Sequence, residues 1–127
     1  MPIITLTVRK PKSSQFKSAV LDGVLSALVA AGVPEKDRFQ RVLELDAENF
    51  CFDTTYPDLT SPRTDDFVMI EILFSGGRSV KIKTKILADI VANLSRDPGL
   101  NPENIMVCFK ETQWENWSFG GGRQIHV

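Results

Sequence analysis

The chain has 127 residues, a length typical of one domain that buries about two thirds of its unfolded surface without disulfides or metals. Its 15 lysines and arginines nearly balance 16 acidic residues, so it lacks the basic excess that attracts nucleic acid or an anionic membrane. Two distant cysteines and one histidine lack the spacing of a metal or redox site, which predicts no metal, no cofactor and a reducing compartment. No apolar run is long enough to span a bilayer and no secretory signal is recognisable, so we expect a cytoplasmic protein with no nucleic-acid or membrane partner.

The first third of the chain predicts a strand, a helix and a second strand. Residues 3–8 alternate between the two faces expected of a half-buried strand. After "KPKSS", Ser13 or Ser14 is the candidate N-cap of a helix with apolar residues every three to four positions, and Gly32 predicts its end. A second strand is predicted in "RFQRVLEL".

The second part of the chain repeats this order. The stretch "DFVMIEILF" predicts a strand, Ser79 is the candidate N-cap of a second helix, and "NIMVCFK" predicts a final strand. The second helix has its apolar residues at a helical spacing: Ile82, Ile86, Leu87, Ile90, Val91 and Leu94. The candidate caps Ser14 and Ser79 are 65 residues apart, as are the second-strand starts Phe39 and Asn104.

This repeat predicts an α+β fold of two consecutive βαβ units in one domain over residues 1–127. The units comprise about residues 2–46 and 66–111, followed by a C-terminal arm over 112–127. Right-handed crossovers place both helices on one face of a four-stranded mixed sheet, which leaves the other face uncovered. We therefore expect an oligomer.

Two segments outside the strands and helices are rich in aromatic residues. The polar stretch between the units contains three that predict packing against the domain: Phe50, Phe52 and Tyr56. The tail contains Trp114, Trp117 and Phe119 before three glycines. That second cluster fits core packing, a subunit contact or the wall of a pocket.

The chain begins Met-Pro, which places a proline at the head of the first predicted strand. Together with the double βαβ pattern, "GVPEKDRFQ" and the tail "WSFGGGR", this makes the sequence similar to the tautomerase superfamily. Within it, the sequence resembles malonate semialdehyde decarboxylase and its uncharacterised relatives. The resemblance implies the tautomerase fold, a homotrimer with pockets near subunit contacts, and catalysis by an N-terminal proline exposed when Met1 is removed.

The resemblance also implies a set of site residues. Pro2 is then the catalytic amine, Asp37 the acid that orients substrate or water, and Arg78 the cation that holds a substrate carboxylate. Trp117, Phe119 and Arg123 match the substrate-binding tail. The decarboxylase has two arginines separated by one residue after the third strand, whereas this chain has Gly76 at the first position, which weakens the decarboxylase assignment.

The residues themselves leave simpler interpretations open. Pro2 can merely start an edge strand, where a missing N–H costs nothing. Asp37 and Arg78 can each lie in a solvated turn, and the tail aromatics can be packing residues. The cation missing at Gly76 can be supplied by any of three arginines, among which the sequence does not choose: Arg9, Arg41 and Arg63.

The resemblance predicts a cofactor-independent tautomerase that acts on a small keto or enol carboxylic acid. A free α-amine titrates near pH ~8, so a buried one can exchange a proton with a carbon next to a carbonyl at neutral pH. The alternatives are a decarboxylase or hydratase of a small 3-oxo or unsaturated acid, and a trimeric binding protein that keeps the fold without the chemistry.

Overall fold

The structure is a computed structural model that describes residues 2–127; Met1 lies outside the described residues. Its strands and helices follow the predicted order. They are β1 (Ile3–Arg9), α1 (Ser14–Ala30), β2 (Phe39–Leu45), β3 (Val68–Ser75), α2 (Val80–Arg96) and β4 (Ile105–Thr112).

The four strands form one mixed sheet in the order β2-β1-β3-β4. β1 is parallel to β2 and β3 is parallel to β4, while the central strands β1 and β3 are antiparallel. Each parallel pair is joined by a helix, as parallel strands require. The predicted fold class, two βαβ units that share a four-stranded sheet, is confirmed.

Serine caps begin both helices. The Ser13 hydroxyl accepts a hydrogen bond from the amide of Phe16, and the Ser79 hydroxyl accepts one from the amide of Ile82. The first cap is therefore Ser13 rather than Ser14, and the offset between the caps is 66 residues rather than 65. Beyond α1, Gly32 has φ +102°, a left-handed conformation that favours glycine and ends the helix as predicted.

The core lies between the sheet and both helices. β1 and β3 contribute alternate residues to it, and α2 contributes a stripe of residues spaced by four. That stripe consists of Ile86, Ile90 and Leu94. Ile82, in the first turn of α2, and Leu87, beside the stripe, share the helical spacing but are more than a third exposed.

The opposite face of the sheet, called here the open face, carries three rows of side chains defined by the strand register. The central row is polar and runs across all four strands: Arg41, Thr5, Glu71 and Cys108. The flanking rows are largely apolar, yet Phe39, Leu43 and Met106 remain 47%, 45% and 43% exposed. Apolar side chains of this size on one sheet face indicate a surface for association.

The segment between the two units packs partly as predicted. Phe50 and Phe52 contact the ring of Phe67 at centroid distances of 5.9 and 4.4 Å. The prediction was wrong for Tyr56, which is exposed and takes no part in these ring contacts. None of the helices described over residues 2–127 has the length and apolar character needed to cross a membrane.

Candidate active site

A cleft of about 510 Å³ lies where β1 and β2 begin. Its floor is formed by the first residues of the two strands, including Ile3, Gln40 and Arg41. Its wall comes from the C-terminal tail, where the rings of Trp117 and Phe119 stack at 5.7 Å with an angle of 9° between their planes. The tail aromatics predicted as substrate-binding therefore do line a cleft, together with the start of β1.

Trp117 is held firmly in this wall. The amide of Trp117 bonds to the carbonyl of Trp114 across a short 3₁₀ turn, and its side chain is only 8% exposed. Within residues 2–127 its indole N–H is buried and has no hydrogen-bond acceptor. Since burying an unpaired donor is costly, an acceptor supplied by a ligand or by another subunit would stabilise this arrangement.

Pro2 and Asp37 each precede a residue that lines the cleft, Ile3 and Arg38 respectively. Ile3 pairs with Phe39, so the same register continued by one residue places Pro2 next to Arg38, which lines the cleft. Pro2 is buried. Asp37 is also buried, and its amide closes a turn by bonding to the carbonyl of Pro34. A solvated turn at Asp37 is therefore not what the structure shows.

Arg78 lies at the same end of the sheet, on the side of β3. Its Nη1 donates to the carbonyl of Ser75 at 2.9 Å, and its guanidinium lies 4.4 Å from the centroid of the Phe74 ring. The antiparallel register, continued by one residue, places Pro2 opposite Phe74. Arg78 is thus anchored rather than freely solvated, although it does not line the cleft with Trp117. Pro2 is the residue that lies between the cleft and Arg78.

Gly76, which stands where the decarboxylase has an arginine, faces the carboxylate of Glu111. A Cβ built on Gly76 would lie 3.4 Å from Oε2 of Glu111, and the backbone there does not require glycine. Glu111 is already paired with Lys83. The hydrogen bond from Lys83 lowers the pKa of Glu111, and the charge of Arg78 adds to this effect. Lys83 is therefore committed to a carboxylate of the protein.

Arg123 does not reach the cleft. Its amide bonds to the carbonyl of Gly120, and its guanidinium lies close to Gly121, whose φ is +63°. The side chain folds over its own turn and stays exposed. The structure thus places Trp117 and Phe119 in one cleft, Pro2 and Asp37 beside it, Arg78 on the far side of Pro2, and Arg123 outside.

The three arginines left open by the sequence have different surroundings. Arg9, at the far end of β1, donates to the carbonyl of Phe50 at 2.9 Å and pairs with Asp65 at 3.0 Å. Arg63 donates to two backbone carbonyls of its own loop. Only Arg41 lines the cleft beside Trp117. The alternation of β2 put Arg41 on the same face as Phe39, but the sequence could not show that the tail would close over that face.

The structure was also searched for clusters of side chains that could bind a metal ion, over the residues that it describes. No cluster of three or more His, Cys, Asp or Glu side chains occurs there. Cys51 and Cys108 are both free and exposed.

Comparison with known proteins defines the class of this chain. The sequence profile of the family described as "Tautomerase enzyme" matches residues 37–120, more than half of the chain, so the chain belongs to this tautomerase family. The match includes Asp37, Arg78, Trp117 and Phe119 but begins after Pro2.

Among individual proteins, the probable tautomerase YusQ of Bacillus subtilis (strain 168) is 25% identical over 124 residues, covering 97% of this chain and 96% of that protein. A malonate semialdehyde decarboxylase, solved to explain its decarboxylase and hydratase activities, has a TM-score of 0.87 and 27% identity over 96% of this chain and 93% of the other. A fused 4-OT described as a symmetric trimer has a TM-score of 0.76 at 14% identity, covering 96% and 94% of the two chains, and shows the shared fold alone.

Proposed function

We propose that this protein is a cofactor-independent tautomerase of a small keto or enol carboxylic acid, and that its base is the nitrogen of Pro2 after removal of Met1. The observation that carries the proposal is the position of Pro2. It is buried at the head of β1, with the cleft and Asp37 on the β2 side and Arg78 on the β3 side.

The chemistry follows from this position. An α-amine titrates near pH ~8 in water, and burial beside cations lowers the pKa of an amine, so Pro2 can be partly neutral at physiological pH. A neutral amine takes a proton from the carbon next to a carbonyl, which leaves an enolate, and then returns the proton to the enolate oxygen to give the enol. Arg78 stabilises the negative charge that forms on the enol oxygen, Asp37 orients substrate or water, and the Trp117 wall excludes solvent.

A second candidate is a decarboxylase or hydratase of a small 3-oxo or unsaturated acid. The similarity to malonate semialdehyde decarboxylase over nearly the whole chain favours it. A Pro2 amine that stays protonated would polarise the carbonyl of a 3-oxo acid and favour loss of carbon dioxide. The glycine at position 76, where the decarboxylase has an arginine, counts against this candidate. The protonation state of the Pro2 amine, and therefore its pKa, distinguishes the two reactions.

We propose that the functional unit is a homotrimer in which the part of the open face outside the cleft is covered by neighbouring subunits. The exposed apolar side chains of that face support this assembly, and the free thiols Cys51 and Cys108 support a reducing, cytoplasmic compartment. Sedimentation is expected to give a trimer for the wild type. It should give smaller species for Leu43→Asp, which puts a charge on the open face away from the cleft. A stable wild-type monomer at micromolar concentration would contradict the assembly.

The function is tested on protein whose N-terminus has been read by mass spectrometry. The native cellular protein is expected to begin at Pro2 and to interconvert the keto and enol forms of phenylpyruvate. A panel of small 3-oxo and unsaturated acids, assayed for carbon dioxide release and hydration, tests the second candidate. If protein with a verified free Pro2 turns over none of these acids, the chain is better explained as a trimeric binding protein.

A further inference from the structure

Arg41 is the cation in the cleft whose charge is not used by the protein itself. Its Nε donates to the hydroxyl of Thr5 at 3.1 Å. Thr5 is 8% exposed and lies in the centre of the sheet, so this hydrogen bond fixes the guanidinium to a rigid element. No acidic side chain of residues 2–127 forms an ion pair with Arg41.

The neighbouring cations do not share this property. Arg38, also in the cleft, is paired with Asp22 at 2.7 Å and bonded to Gln40 at 2.9 Å. Glu71, the acidic member of the row that contains Arg41, is paired with Lys110 at 2.7 Å. Arg41 therefore carries the positive charge that remains for a ligand in this part of the chain.

We infer that Arg41 binds the carboxylate of the substrate, the role that the family resemblance gives to Arg78, which does not line the cleft; this inference rests on the proposed function. With Nε bonded to Thr5, the two Nη groups of Arg41 can both donate to one carboxylate, an arrangement that arginine favours. The cleft is continuous from Ile3, the neighbour of Pro2, to Arg41. A bound acid thus has its charged end at Arg41 and its reacting carbon toward Pro2.

The aromatic wall specifies the rest of the ligand. Trp117 and Phe119 present parallel rings beside Arg41, and Phe39 lies 5.8 Å from Phe119. A carboxylate attached to an aromatic or branched apolar group fits both features. Together with the proposed reaction, this gives as substrate class a 2-oxo acid with an apolar substituent, of which phenylpyruvate is the simplest aromatic example that can enolise.

The kinetic test compares an acid with its neutral ester. Arg41→Gln should raise KM for phenylpyruvate at least about tenfold, because a paired charge-assisted contact is lost, and should change kcat little. KM for the methyl ester of phenylpyruvate should not change, and Arg41→Lys should recover part of the affinity for the acid. The control is Arg96→Gln, an exposed arginine at the end of α2, which should match the wild type. Unchanged KM for the acid, or equal losses for acid and ester, would overturn the inference.

A binding measurement separates this inference from the proposed reaction. Quenching of tryptophan fluorescence by phenylacetate and by phenylacetamide reports affinity without turnover. Arg41→Gln should weaken the acid and leave the amide unaffected, with the assembly unchanged in sedimentation. If the wild type turns over no acid but this pattern holds, the proposed reaction fails while Arg41 keeps its role. If turnover is normal and phenylacetate binds Arg41→Gln as tightly as wild type, or if Arg41→Gln dissociates the assembly, Arg41 is not the carboxylate-binding residue.

Discussion

The two βαβ units carry similar clefts at equivalent ends, but the residues at the heads of their first strands differ. The first cleft, of about 510 Å³, lies where β1 and β2 begin, and the second, of about 550 Å³, lies near the starts of β3 and β4. At the head of β1 is Pro2, whereas the residue that precedes β3 is Phe67, in the middle of the chain. The nitrogen that we propose as the base therefore has no counterpart at the head of β3.

The cations of the two clefts differ in the same way. In the first cleft Arg41 has one hydrogen bond to a threonine and no acidic partner among the described residues. In the second, Arg63 donates to the carbonyls of Asp53 and Tyr56 and lies 5.0 Å from the centroid of the Phe67 ring. The repeated architecture therefore supplies a cleft twice, and the two clefts differ in whether the arginine is held by backbone carbonyls or is left for a ligand.

The largest effect expected from a side-chain change is at Arg78. Arg78→Ala should lower kcat for phenylpyruvate by about 10²–10³, because a donor aimed at developing negative charge is removed. Steady-state kinetics measure the change, and sedimentation should show an intact assembly. A variant with normal kcat and KM would remove Arg78 from the site and leave the first cleft without its β3 contribution.

An intermediate effect is expected when the same substitution is made at the arginine of each cleft. Arg63→Gln should leave KM for phenylpyruvate unchanged while lowering the melting temperature by a few degrees, since its loop loses two hydrogen bonds to a charged donor. Arg41→Gln should do the reverse. Parallel kinetics and thermal melts of the two variants measure this contrast, and a rise in KM for Arg63→Gln would mean that the second cleft also takes part in substrate binding.

A smaller effect is expected at Trp117. Trp117→Phe keeps the apolar wall and removes only the buried indole N–H, so activity should fall less than tenfold if that donor bonds a bound acid. Trp117→Ala, which also opens the wall, should cost more. Ligand titrations on both variants separate the donor from the ring. An unchanged affinity for Trp117→Phe beside a loss for Trp117→Ala would show that only packing matters, whereas equal losses would assign the effect to the donor.

The smallest effect is expected from the ion pair between Lys83 and Glu111, which lies beside Gly76. The hydrogen bond from Lys83 lowers the pKa of Glu111 from its usual 4.5, so ionised Glu111 stabilises the folded state above that value. This stabilisation is lost as the pH falls through the lower, folded-state pKa. Glu111→Gln should therefore melt slightly below wild type at neutral pH and equally in acid. Thermal melts across this range check the sign, and a difference that grows in acid would contradict it.

Much of the fold was predictable because it depends on local sequence. The serine caps, the helix end at Gly32 and the strand alternation each follow from nearby residues, and the structure confirmed them apart from a one-residue shift at Ser13. The site was less predictable because its parts meet through tertiary packing. Trp117 and Phe119 approach Arg41 only after the tail folds back over the start of β2. Tyr56 does not join the packing that its residue type favoured, and Arg123 lies outside the cleft in which the resemblance placed it.

The role proposed for Pro2 depends on the state of its nitrogen. Protein with a free Pro2 and protein that retains Met1, prepared by inhibiting methionine removal during expression and verified by mass, differ in whether that nitrogen is a base or an amide. Deuterium exchange at the carbon next to the carbonyl of phenylpyruvate, followed by NMR, reports the proton transfer itself. The free form should exchange about 10²–10⁴ times faster than the blocked form, with fold and assembly unchanged. Equal exchange rates for the two forms would contradict the account and remove Pro2 from the chemistry.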